Sequence, residues 1–582
     1  QRSAGQGRER ERERERETML SSALRCRGVL FSAQGSRSLS SWGTLHLPEV
    51  SNERVLDYVP GSLEREQLRA AVTAMQSKTF DVPCVVNGER IFTGNIQKQV
   101  QPANHKQVLA NIHHADKVVV AKARDACLEA RKFWANMPAE DRLGVFLKAA
   151  DLAASKYRFE LNAATMLGQA KNVMQAEIDS AVELIDFWRF NVSYAKELYN
   201  VQPPKAAFGV WNRVEYRALE GFILAIAPFN FTAIGGNLPT VPAIVGNVSV
   251  WKPSDTAAYS NYLVYQILEE AGLPPGVINF VPGAPSAFED LIADPHLGGL
   301  HFTGSTKTFR FLQKAIANNL DTYKSYPRVV GETGGKNYHA VHPSADFEHV
   351  LNSTIRGAFE YQGQKCSATS RIYLPESWWP RFGDRLKEEL QQVKMGQPTD
   401  FDSFMCAVID ETSFNRIQGY IDSAKKSSSC TIIAGGHCDK STGFFVQPTV
   451  IHTTDPHFVT MEEEIFGPVL SVYVYPDAKW NETLDLVAKT SPYGLTGAIF
   501  ARDRRVIKEA SDALRDVSGN FYVNDKCTGS IVGQQPFGGA RQSGTNDKAG
   551  FGQNLLRWTS SRSIKETSVP CTDWRYPHMQ EP

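Results

Sequence analysis

The sequence lacks clustered cysteines. Its nine cysteines are scattered along 582 residues, with no Cys-x-x-Cys pair and no cysteine–histidine group at the spacing of a zinc site. A disulfide scaffold and a structural metal site are therefore both disfavoured, and no metal is expected. The pattern indicates a reducing compartment, which also keeps a reactive thiol available.

An excess of one charge sign and long apolar runs are also missing. The 63 Lys and Arg residues balance 63 Asp and Glu residues, so the net charge points neither to nucleic acid nor to an anionic membrane surface. No run reaches the roughly 18 apolar residues of a membrane span, and the run at 222–227 ends at Pro228. The composition, 42% apolar and 22% charged, is that of a globular protein. The length of 582 residues indicates two or three domains.

The first 48 residues do not have the pattern of a folded segment. Arg and Glu alternate from residue 8 to 17, and Met19 follows Thr18. We predict that residues 1–18 lie upstream of the native start; a solvated charge run is the alternative. Residues 19–45 contain Arg and many Ser but no acidic residue, which is typical of a mitochondrial transit peptide. An ordinary tail without fixed structure is the competing interpretation, and the mitochondrial matrix is the expected location.

Amphipathic helices are predicted between residues 138 and 200. The first begins at Pro138 with two acidic residues in its first turn. In the second, one apolar face is expected to be formed by Ile178, Val182, Ile185 and Val192. At about 201–220 the pattern changes to rough alternation after two prolines, which predicts a hairpin reaching away from the core.

From residue 222 onward, strands and helices alternate. Strands are predicted at 222–227, 248–251, 277–281 and 300–303, with helices near 256–271, 286–293 and 307–319. This βαβ series predicts a parallel, doubly wound α/β sheet. Polar breaks follow three strand ends, at 228–230, 252–254 and 303–306. Ligands of such sheets bind beyond the carboxyl ends of the strands, so these breaks predict a nucleotide site.

A second α/β stretch is predicted at 346–530, and the tail from about 545, including 558–569, has the character of an arm. We therefore divide the chain into a first domain at 46–345, a second at 346–530 and a returning segment with a C-terminal arm at 531–582. The two arms suggest strand exchange into a homodimer or into a larger assembly of dimers.

Cys366 and Glu332 are the candidate nucleophile and base. Each lies on a Gly-bearing turn, with Gly363 just before the thiol. Lys365 and a helix beginning at Cys366 are expected to favour the thiolate, which is the attacking species. A lone cysteine is otherwise most often a small buried hydrophobe, so the argument depends on the surrounding motifs.

Seven motifs in matching order resemble the aldehyde dehydrogenase superfamily over residues 80–570. They lie at 227–231, 252–254, 302–306, 331–336, 363–366, 463–468 and 536–539. The Gly-x-Gly-x-x-Gly fingerprint of ordinary dinucleotide folds is absent, as is usual in that superfamily. The resemblance implies the aldehyde dehydrogenase fold: a Rossmann-like parallel-sheet NAD domain, a second α/β catalytic domain and β-rich oligomerisation arms.

The chemistry of aldehyde oxidation assigns the catalytic roles. Loss of hydride requires a tetrahedral adduct, which a thiolate supplies, and the resulting thioester is then hydrolysed. We predict that Cys366 is the nucleophile, that Glu332 activates the hydrolytic water, and that the Asn230 amide with the Cys366 backbone amide binds the oxyanion. The alternatives are a simple turn residue at Asn230 and a capping or ion-paired surface residue at Glu332.

The resemblance also implies a site for NAD. Its residues would be Ala227, Lys252, Ser254, Gly304, Ser305, Glu464 and Phe466. Lys252 would bind the adenosine ribose, the helix after Gly304 would face the pyrophosphate, and Glu464 and Phe466 would hold the nicotinamide half. Asp255 would disfavour a 2′-phosphate, so NAD is expected rather than NADP. Phe309 stands where the superfamily usually has a second glycine, which questions the pyrophosphate geometry.

Within the superfamily, segments 528–540 and 543–547 resemble the branch that oxidises glutamate γ-semialdehyde, which is in equilibrium with 1-pyrroline-5-carboxylate, to glutamate in proline breakdown. The implied substrate contacts are Ser367, Gly529, Ser530, Phe231 and Phe537. A hydroxyl and exposed amides at 529–530 suit a carboxylate, although Ser530 can also belong to a merely flexible loop. Two alternatives stay open: a dehydrogenase for succinate semialdehyde or alkyl aldehydes, and a catalytically silent scaffold.

Overall fold

A computed structural model describes residues 47–579 of the chain. The predictions for residues 1–18 and 19–45 lie outside the described residues. None of the helices in the described part combines the length and the apolar character that a membrane span requires.

The helices are α1 (Leu63–Gln76), α2 (Lys117–Trp134), α3 (Ala139–Ala154), α4 (Arg158–Gln169), α5 (Val173–Ala176), α6 (Leu184–Tyr199), α7 (Thr232–Ile244), α8 (Ala258–Ala271), α9 (Glu289–Ile292), α10 (Thr306–Ala317), α11 (Phe347–Phe359), α12 (Trp379–Gln391), α13 (Glu411–Lys426), α14 (Val459–Glu462), α15 (Trp480–Lys489), α16 (Arg504–Ala513) and α17 (Gly552–Arg557). A π-helix spans Glu177–Glu183, and short 3-10 segments lie at Asp255–Ala257, Pro285–Phe288, Glu360–Gly363, Asp477–Lys479 and Pro577–Met579.

The strands are β1 (Phe80–Val82), β2 (Cys84–Val86), β3 (Glu89–Ile91), β4 (Ile96–Gln101), β5 (Asn104–His113), β6 (Val210–Ala218), β7 (Phe222–Ile226), β8 (Ser249–Lys252), β9 (Ile278–Phe280), β10 (Leu297–Thr303), β11 (Arg328–Glu332), β12 (Asn337–Val341), β13 (Thr369–Pro375), β14 (Cys430–Ala434), β15 (Cys438–Asp439), β16 (Phe445–Val446), β17 (Thr449–Thr453), β18 (Val469–Tyr475), β19 (Tyr493–Gly494), β20 (Thr496–Phe500), β21 (Asn520–Val523), β22 (Ala540–Arg541) and β23 (Thr559–Thr567).

The first large sheet has seven strands in the order β11-β10-β7-β8-β9-β2-β3. The strands β7 to β11 pair in parallel, and β2 and β3 add an antiparallel edge. The apolar run of β7 is buried on both faces because helices cover both sides of the sheet. The prediction of a parallel α/β sheet is therefore confirmed. The neighbouring strands β7, β8, β10 and β11 end at Ile226, Lys252, Thr303 and Glu332, so the residues after these ends gather at one edge.

The second large sheet also has seven strands, in the order β14-β17-β18-β13-β12-β20-β21, and its pairs are parallel except for β14 with β17. It begins at β12, before the boundary expected at 346. Glu332 ends the first sheet and Asn337 begins the second, so the segment 333–336 joins the two sheets. A smaller sheet orders β1-β5-β4.

The two predicted arms form a single ribbon. Strand β6 pairs antiparallel along its whole length with β23, so the segment at 201–220 takes its partner from the C-terminal tail instead of forming a hairpin of its own. Trp558, expected in the arm, is fully buried in the core of the first sheet, and the ribbon begins at the next residue. Apolar residues on the ribbon are open to solvent, with Trp211 62% exposed and Phe208 beside it 94% exposed.

The second predicted helix is interrupted by the π-helix at Glu177–Glu183. The wider turn changes the angular spacing of the side chains, and such segments often occur at functional sites. Val182, Ile185 and Val192 are buried as expected, but Ile178 is 38% exposed. The prediction that Ile178 shares their face is wrong because it assumed a regular α-helix throughout.

Candidate active site

Cys366 follows a turn with a strained backbone. The chain leaves α11 through Glu360–Gly363, in which Tyr361, Gln362 and Gly363 have φ angles of 49°, 54° and 65°. Non-glycine residues are uncommon in this left-handed region, and such strain is concentrated at functional sites. A Cβ on Gly363 would lie 2.3 Å from a backbone carbonyl oxygen of a neighbouring segment, so this position requires glycine.

The side chain of Gln362 holds the turn in place. Its Nε2 donates to the carbonyl oxygens of Ala170 at 3.0 Å and Ala407 at 2.7 Å, and its Oε1 accepts from the Cys406 amide at 3.0 Å. These hydrogen bonds to distant backbone segments offset the backbone strain of the turn that positions Cys366.

Two sequence predictions about the thiol are wrong. No helix begins at Cys366, which lies in a turn before β13. Lys365 does not stabilise the thiolate either, because its Nζ is bonded to Glu360 Oε2 at 3.1 Å. Glu360 also binds Arg356. The expected sources of thiolate stabilisation are therefore both lost.

The electrostatic surroundings of Cys366 favour the neutral thiol. Burial raises the pKa of the Cys366 thiol, and the carboxylates of Glu464, Glu332 and Glu183 raise the pKa further, against a weaker effect of the Ser367 amide. Three carboxylates from separate segments thus lie within electrostatic reach of the sulfur. The thiol therefore needs a nearby base before it can attack.

Glu332, the last residue of β11, lies within electrostatic reach of the Cys366 thiol. Its Oε2 accepts a hydrogen bond from the Gly539 amide at 3.0 Å, and a Cβ on Gly538 would lie 3.2 Å from its Oε1. Burial raises the pKa of the Glu332 carboxyl well above its usual range; the Gly539 amide and Lys548 oppose this shift, and Asp547 adds to it. A carboxylate with a raised pKa is suited to accepting a proton near neutral pH.

Asn230 lies beside the nucleophile segment. It follows the end of β7, is almost fully buried, and donates from Nδ2 to the carbonyl oxygen of Gln364 at 3.1 Å. Gln364 in turn accepts the Ile409 amide at 2.9 Å on its Oε1. The structure therefore brings the first-sheet turn and the Cys366 turn into direct contact.

A buried ion pair, which sequence reasoning missed, lies behind Asn230. Lys171 Nζ is 2.7 Å from Asp179 Oδ2, and it lies 3.8 Å and 4.4 Å from the ring centres of Phe231 and Tyr361. Asp179 also accepts the first two amides of α7, at Thr232 and Ala233. Burial lowers the pKa of Lys171 to about 8, which the Asp179 charge opposes. The Lys171 ammonium therefore packs against one face of the ring of Phe231, a predicted substrate contact.

Glu183 is a second residue that the sequence reasoning missed. It is the last residue of the π-helix, and burial raises the pKa of its carboxyl to about 8; Asp179 adds to the shift, and Lys171 opposes it. The available signal was a lone acidic residue inside the apolar run 181–185. Its proximity to Cys366 depends on the π-helix, which periodicity does not predict.

The predicted substrate loop contacts the nucleophile turn. Ser367 Oγ lies 2.7 Å from Thr528 Oγ1, and the Cys527 thiol donates to the Ser367 carbonyl oxygen at 3.5 Å. Gly529 has a φ of +89°, which requires glycine, and precedes Ser530. Phe537 forms a backbone bridge with Ala549, two residues before Gly539, whose amide donates to Glu332.

The adenosine side of the predicted cofactor site is built at the end of β8. Lys252 is almost buried and its Nζ makes one long bond, 3.4 Å, to the Pro253 carbonyl oxygen. Burial lowers the pKa of Lys252, and Asp255 opposes the shift. Asp255 itself is bonded to His114 Nε2 at 2.9 Å, a contact that the sequence did not reveal. Two further predicted residues are close by: Ala227 donates its amide to the Lys252 carbonyl at 3.0 Å, and Ser254 lies two residues beyond Lys252.

The predicted helix start at the pyrophosphate side is present. Ser305 caps α10 by accepting the Thr308 amide at 3.1 Å, and the Gly304 amide donates to the Glu332 carbonyl oxygen at 3.1 Å. Phe309, the departure from the superfamily pattern, turns inward and stacks on Phe302 with ring centres 5.6 Å apart. Because the Phe309 side chain is buried, it does not cover the start of α10, and Ser305, Lys307 and Thr308 stay exposed.

Glu464 and Phe466 approach from the second sheet. Glu464 Oε1 accepts the Gly335 amide at 2.9 Å, and burial raises the pKa of this carboxyl to about 7. A Cβ on Gly334 would lie 1.9 Å from Glu464 Oε2, so a larger residue there would displace this carboxylate. The Phe466 ring meets Phe229 edge-on at 5.7 Å.

Comparison with known proteins identifies the family. The sequence model of the aldehyde dehydrogenase family matches residues 93–564, which is most of the chain. The chain belongs to the aldehyde dehydrogenase family. The resemblance inferred from the seven motifs is thereby confirmed.

Individual relatives cover almost the whole chain. The mitochondrial Delta-1-pyrroline-5-carboxylate dehydrogenase of Dictyostelium discoideum is 53% identical over 547 residues, 94% of this chain and 98% of that protein. The human mitochondrial enzyme of the same name is 52% identical over 564 residues, 97% of this chain and all of that protein. The crystal structure of the Mycobacterium tuberculosis Delta-pyrroline-5-carboxylate dehydrogenase bound with NAD has a TM-score of 0.90 at 48% identity, covering 93% of this chain and 100% of that one.

Proposed function

We propose that this aldehyde dehydrogenase oxidises glutamate γ-semialdehyde to glutamate with NAD as the oxidant, the second step of proline breakdown. The observation that carries the proposal is the convergence at Cys366: Glu332 from the first sheet, Asn230 on the adjoining turn, and the 527–530 loop bonded to Ser367. The names of the relatives, which cover almost the full chain, support the substrate.

The first half of the reaction forms a carbon–sulfur bond. The Glu332 carboxylate, whose raised pKa suits it to this task, accepts the Cys366 proton. The sulfur then attacks the aldehyde carbon. The carbonyl π bond breaks, and the resulting oxyanion would accept a hydrogen bond from the Asn230 side-chain amide, which donates one N–H to the Gln364 carbonyl oxygen and carries a second. Bound NAD supplies the hydride acceptor for this adduct, and a thioester on Cys366 remains.

The second half of the reaction releases the acid. After it releases the Cys366 proton to solvent, Glu332 accepts a proton from water as the water oxygen attacks the thioester carbon. The carbon–sulfur bond then breaks, the thiolate of Cys366 leaves, and the acid product loses its remaining proton to the thiolate or to solvent and becomes the carboxylate. Because burial raises the pKa of Glu332, this carboxyl can take and return protons near neutral pH.

The residues at the strand ends fit the dinucleotide. The Lys252 ammonium is almost buried yet has only the long bond to Pro253 among the described residues, so its donors suit ribose hydroxyls. The first turn of α10 after Gly304 and Ser305 presents amides to a pyrophosphate. Glu464, which lies within electrostatic reach of Cys366, and Phe466, which packs edge-on against Phe229, would hold the nicotinamide half. Ala227 and Ser254 complete this predicted set.

We propose a complementary partner for each of the substrate's two charges. The hydroxyl of Ser530 and the amide at Gly529 lie on the loop bonded to Ser367 and suit the α-carboxylate. Glu183, close enough to shift the Cys366 pKa, would pair with the α-ammonium, because an adjacent positive charge lowers the raised pKa of this carboxyl and favours its charged form. Phe231 and Phe537 would cover the aliphatic carbons between these ends.

The assembly and location follow from the same proposal. The ribbon of β6 and β23 leaves apolar side chains open to solvent, which supports a homodimer or an assembly of dimers. Relatives from Dictyostelium and human carry mitochondrial names, and we place this enzyme in mitochondria, in the matrix.

The decisive experiment measures NADH formation by the full chain with NAD and three aldehydes: glutamate γ-semialdehyde, succinate semialdehyde and propionaldehyde. We expect a kcat/KM for the first that exceeds the others by at least about tenfold, the effect of one charge-assisted hydrogen bond. Equal or reversed preference would retain the dehydrogenase and reject the substrate. No NADH with any aldehyde would instead support the silent scaffold.

A further inference from the structure

Lys548 contacts the peptide that binds Glu332. Its Nζ donates to the carbonyl oxygens of Gly519 at 2.7 Å and Gly538 at 3.3 Å. The amide of the next residue, Gly539, donates to Glu332 Oε2 at 3.0 Å. The Gly538 carbonyl and the Gly539 amide belong to one peptide unit, so a single peptide connects the ammonium to the carboxylate.

This arrangement strengthens the bond to the carboxylate. A cation on the carbonyl oxygen of a peptide polarises the unit and makes its N–H a better donor, because hydrogen bonds in series reinforce one another in a low dielectric. The packing leaves little freedom: a Cβ on Gly538 would lie 3.1 Å from the Lys548 amide nitrogen and 3.2 Å from Glu332 Oε1. Lys548 itself has a φ of 55°, an uncommon conformation for a lysine.

The other charges around Glu332 do not substitute for this ammonium. Asp547 repels the carboxylate, but it is bonded to Arg557 at 3.1 Å and accepts from Thr545 Oγ1 at 2.5 Å. Lys548 is the cation whose attraction opposes the rise in the Glu332 pKa, and Glu332 in turn opposes the loss of the Lys548 proton on burial. The Cys366 thiol also lies within electrostatic reach of Glu332.

We infer that Lys548 is a positioning residue for the hydrolytic step: through the 538–539 peptide it orients the Glu332 carboxylate and supplies its counter-charge. The inference rests on the proposed function, because it takes Glu332 as the group that activates water. Nothing in the sequence motifs pointed to it, since Lys548 lies just beyond the segment 543–547.

The test compares Lys548→Met and Lys548→Gln in the full chain. Rapid mixing with NAD and the preferred aldehyde gives the NADH burst, which reports thioester formation, and the following steady rate reports hydrolysis. We expect both variants to keep a full burst. The pH at half-maximal steady rate should rise by about one unit, the effect of removing one nearby opposite charge, which corresponds to a roughly tenfold slower steady rate below that pH.

The two substitutions separate charge from position. Glutamine retains an N–H donor for the carbonyl oxygens, so it should shift the pH profile while keeping the plateau rate at high pH. Methionine loses the donor as well and should lower the plateau too. If the methionine variant does not fold, as judged by its melting curve and NAD binding, the glutamine variant alone decides the outcome.

Lys425→Met is the matched control, because Lys425 also donates to a glycine carbonyl, that of Gly436 at 2.7 Å, but at the edge of the second sheet. It should leave burst, rate and pH profile unchanged. Glu332→Gln run in parallel separates the two hypotheses. A slow Glu332→Gln with unshifted Lys548 variants overturns this inference, whereas undiminished turnover in Glu332→Gln overturns the proposed role of Glu332 itself.

Discussion

Phe309 fills the space that a side chain at Gly331 would need: a Cβ on Gly331 would lie 2.2 Å from Cε2 of the Phe309 ring. The ring stacks on Phe302 in the core, so it cannot swing toward solvent without leaving an apolar gap. Gly331 is the residue before Glu332, and its amide donates to Thr545 Oγ1 at 3.0 Å. Phe309 replaces the glycine that the superfamily usually has at its position, and Gly331 in β11 provides the space for the larger side chain.

Gly331→Ala should destabilise the protein by about 1–3 kcal/mol, the usual cost of overpacking a core. It should also slow hydrolysis, because any backbone shift at 331 is transmitted to the carboxylate of Glu332. Thermal unfolding and the steady rate after the NADH burst measure the two effects. Gly331→Ala combined with Phe309→Leu restores space and should recover much of both. If the pair is no better than the single variant, contact with Phe309 is not the reason for the glycine.

Cys366→Ala should remove NADH formation entirely, because no carbon–sulfur bond can form, while NAD still quenches the protein fluorescence with wild-type affinity. Cys430→Ala, at a partly buried thiol in β14, is the control and should keep full activity. Sustained turnover by the Cys366 variant would remove this residue from the mechanism.

Local patterns were sufficient for the elements that hold the site. The strand ends at Ile226, Lys252 and Thr303 were predictable because apolar runs stop at polar breaks, and a parallel sheet must gather those breaks at one edge. The long-range features were not predictable: β6 pairs with a strand from the C-terminal tail, and nothing in either segment encodes that partner.

The same limit applies to electrostatics. Lys365 is adjacent to Cys366 in sequence, which suggested a stabilised thiolate, yet its ammonium turns to Glu360. The thiol instead faces carboxylates that arrive from the first sheet, the second sheet and the π-helix. A pKa depends on distances between remote segments, so sequence neighbours alone predicted the wrong sign.

Ser530→Ala should raise the KM for glutamate γ-semialdehyde by about tenfold or more, because a hydrogen bond to a charged group contributes roughly 1.5–3 kcal/mol. The KM for propionaldehyde, which has no carboxylate, should not change. Ser511→Ala is the control, since that hydroxyl donates within its own helix, to the Ile507 carbonyl at 2.6 Å. An equal rise for both aldehydes would make Ser530 a structural residue of its loop.

Glu183→Gln tests the carboxylate that the π-helix carries to the site, and two independent readouts are expected. Loss of its negative charge should lower the pKa of the Cys366 thiol, since Glu183 is one of the groups that raise it. The rising limb of the NADH burst rate against pH should then move to lower pH with any aldehyde.

The second readout of Glu183→Gln concerns the substrate. If Glu183 binds the α-ammonium, the KM for glutamate γ-semialdehyde should rise by about tenfold, while the KM for succinate semialdehyde, which lacks that group, should not. Glu197→Gln, near the end of the following helix, is the matched control. A shifted pH limb with equal KM effects would leave Glu183 as a neighbour of the thiol alone. An unshifted limb would place its charge too far from Cys366 to act, because removal of a nearby like charge must change the thiol pKa.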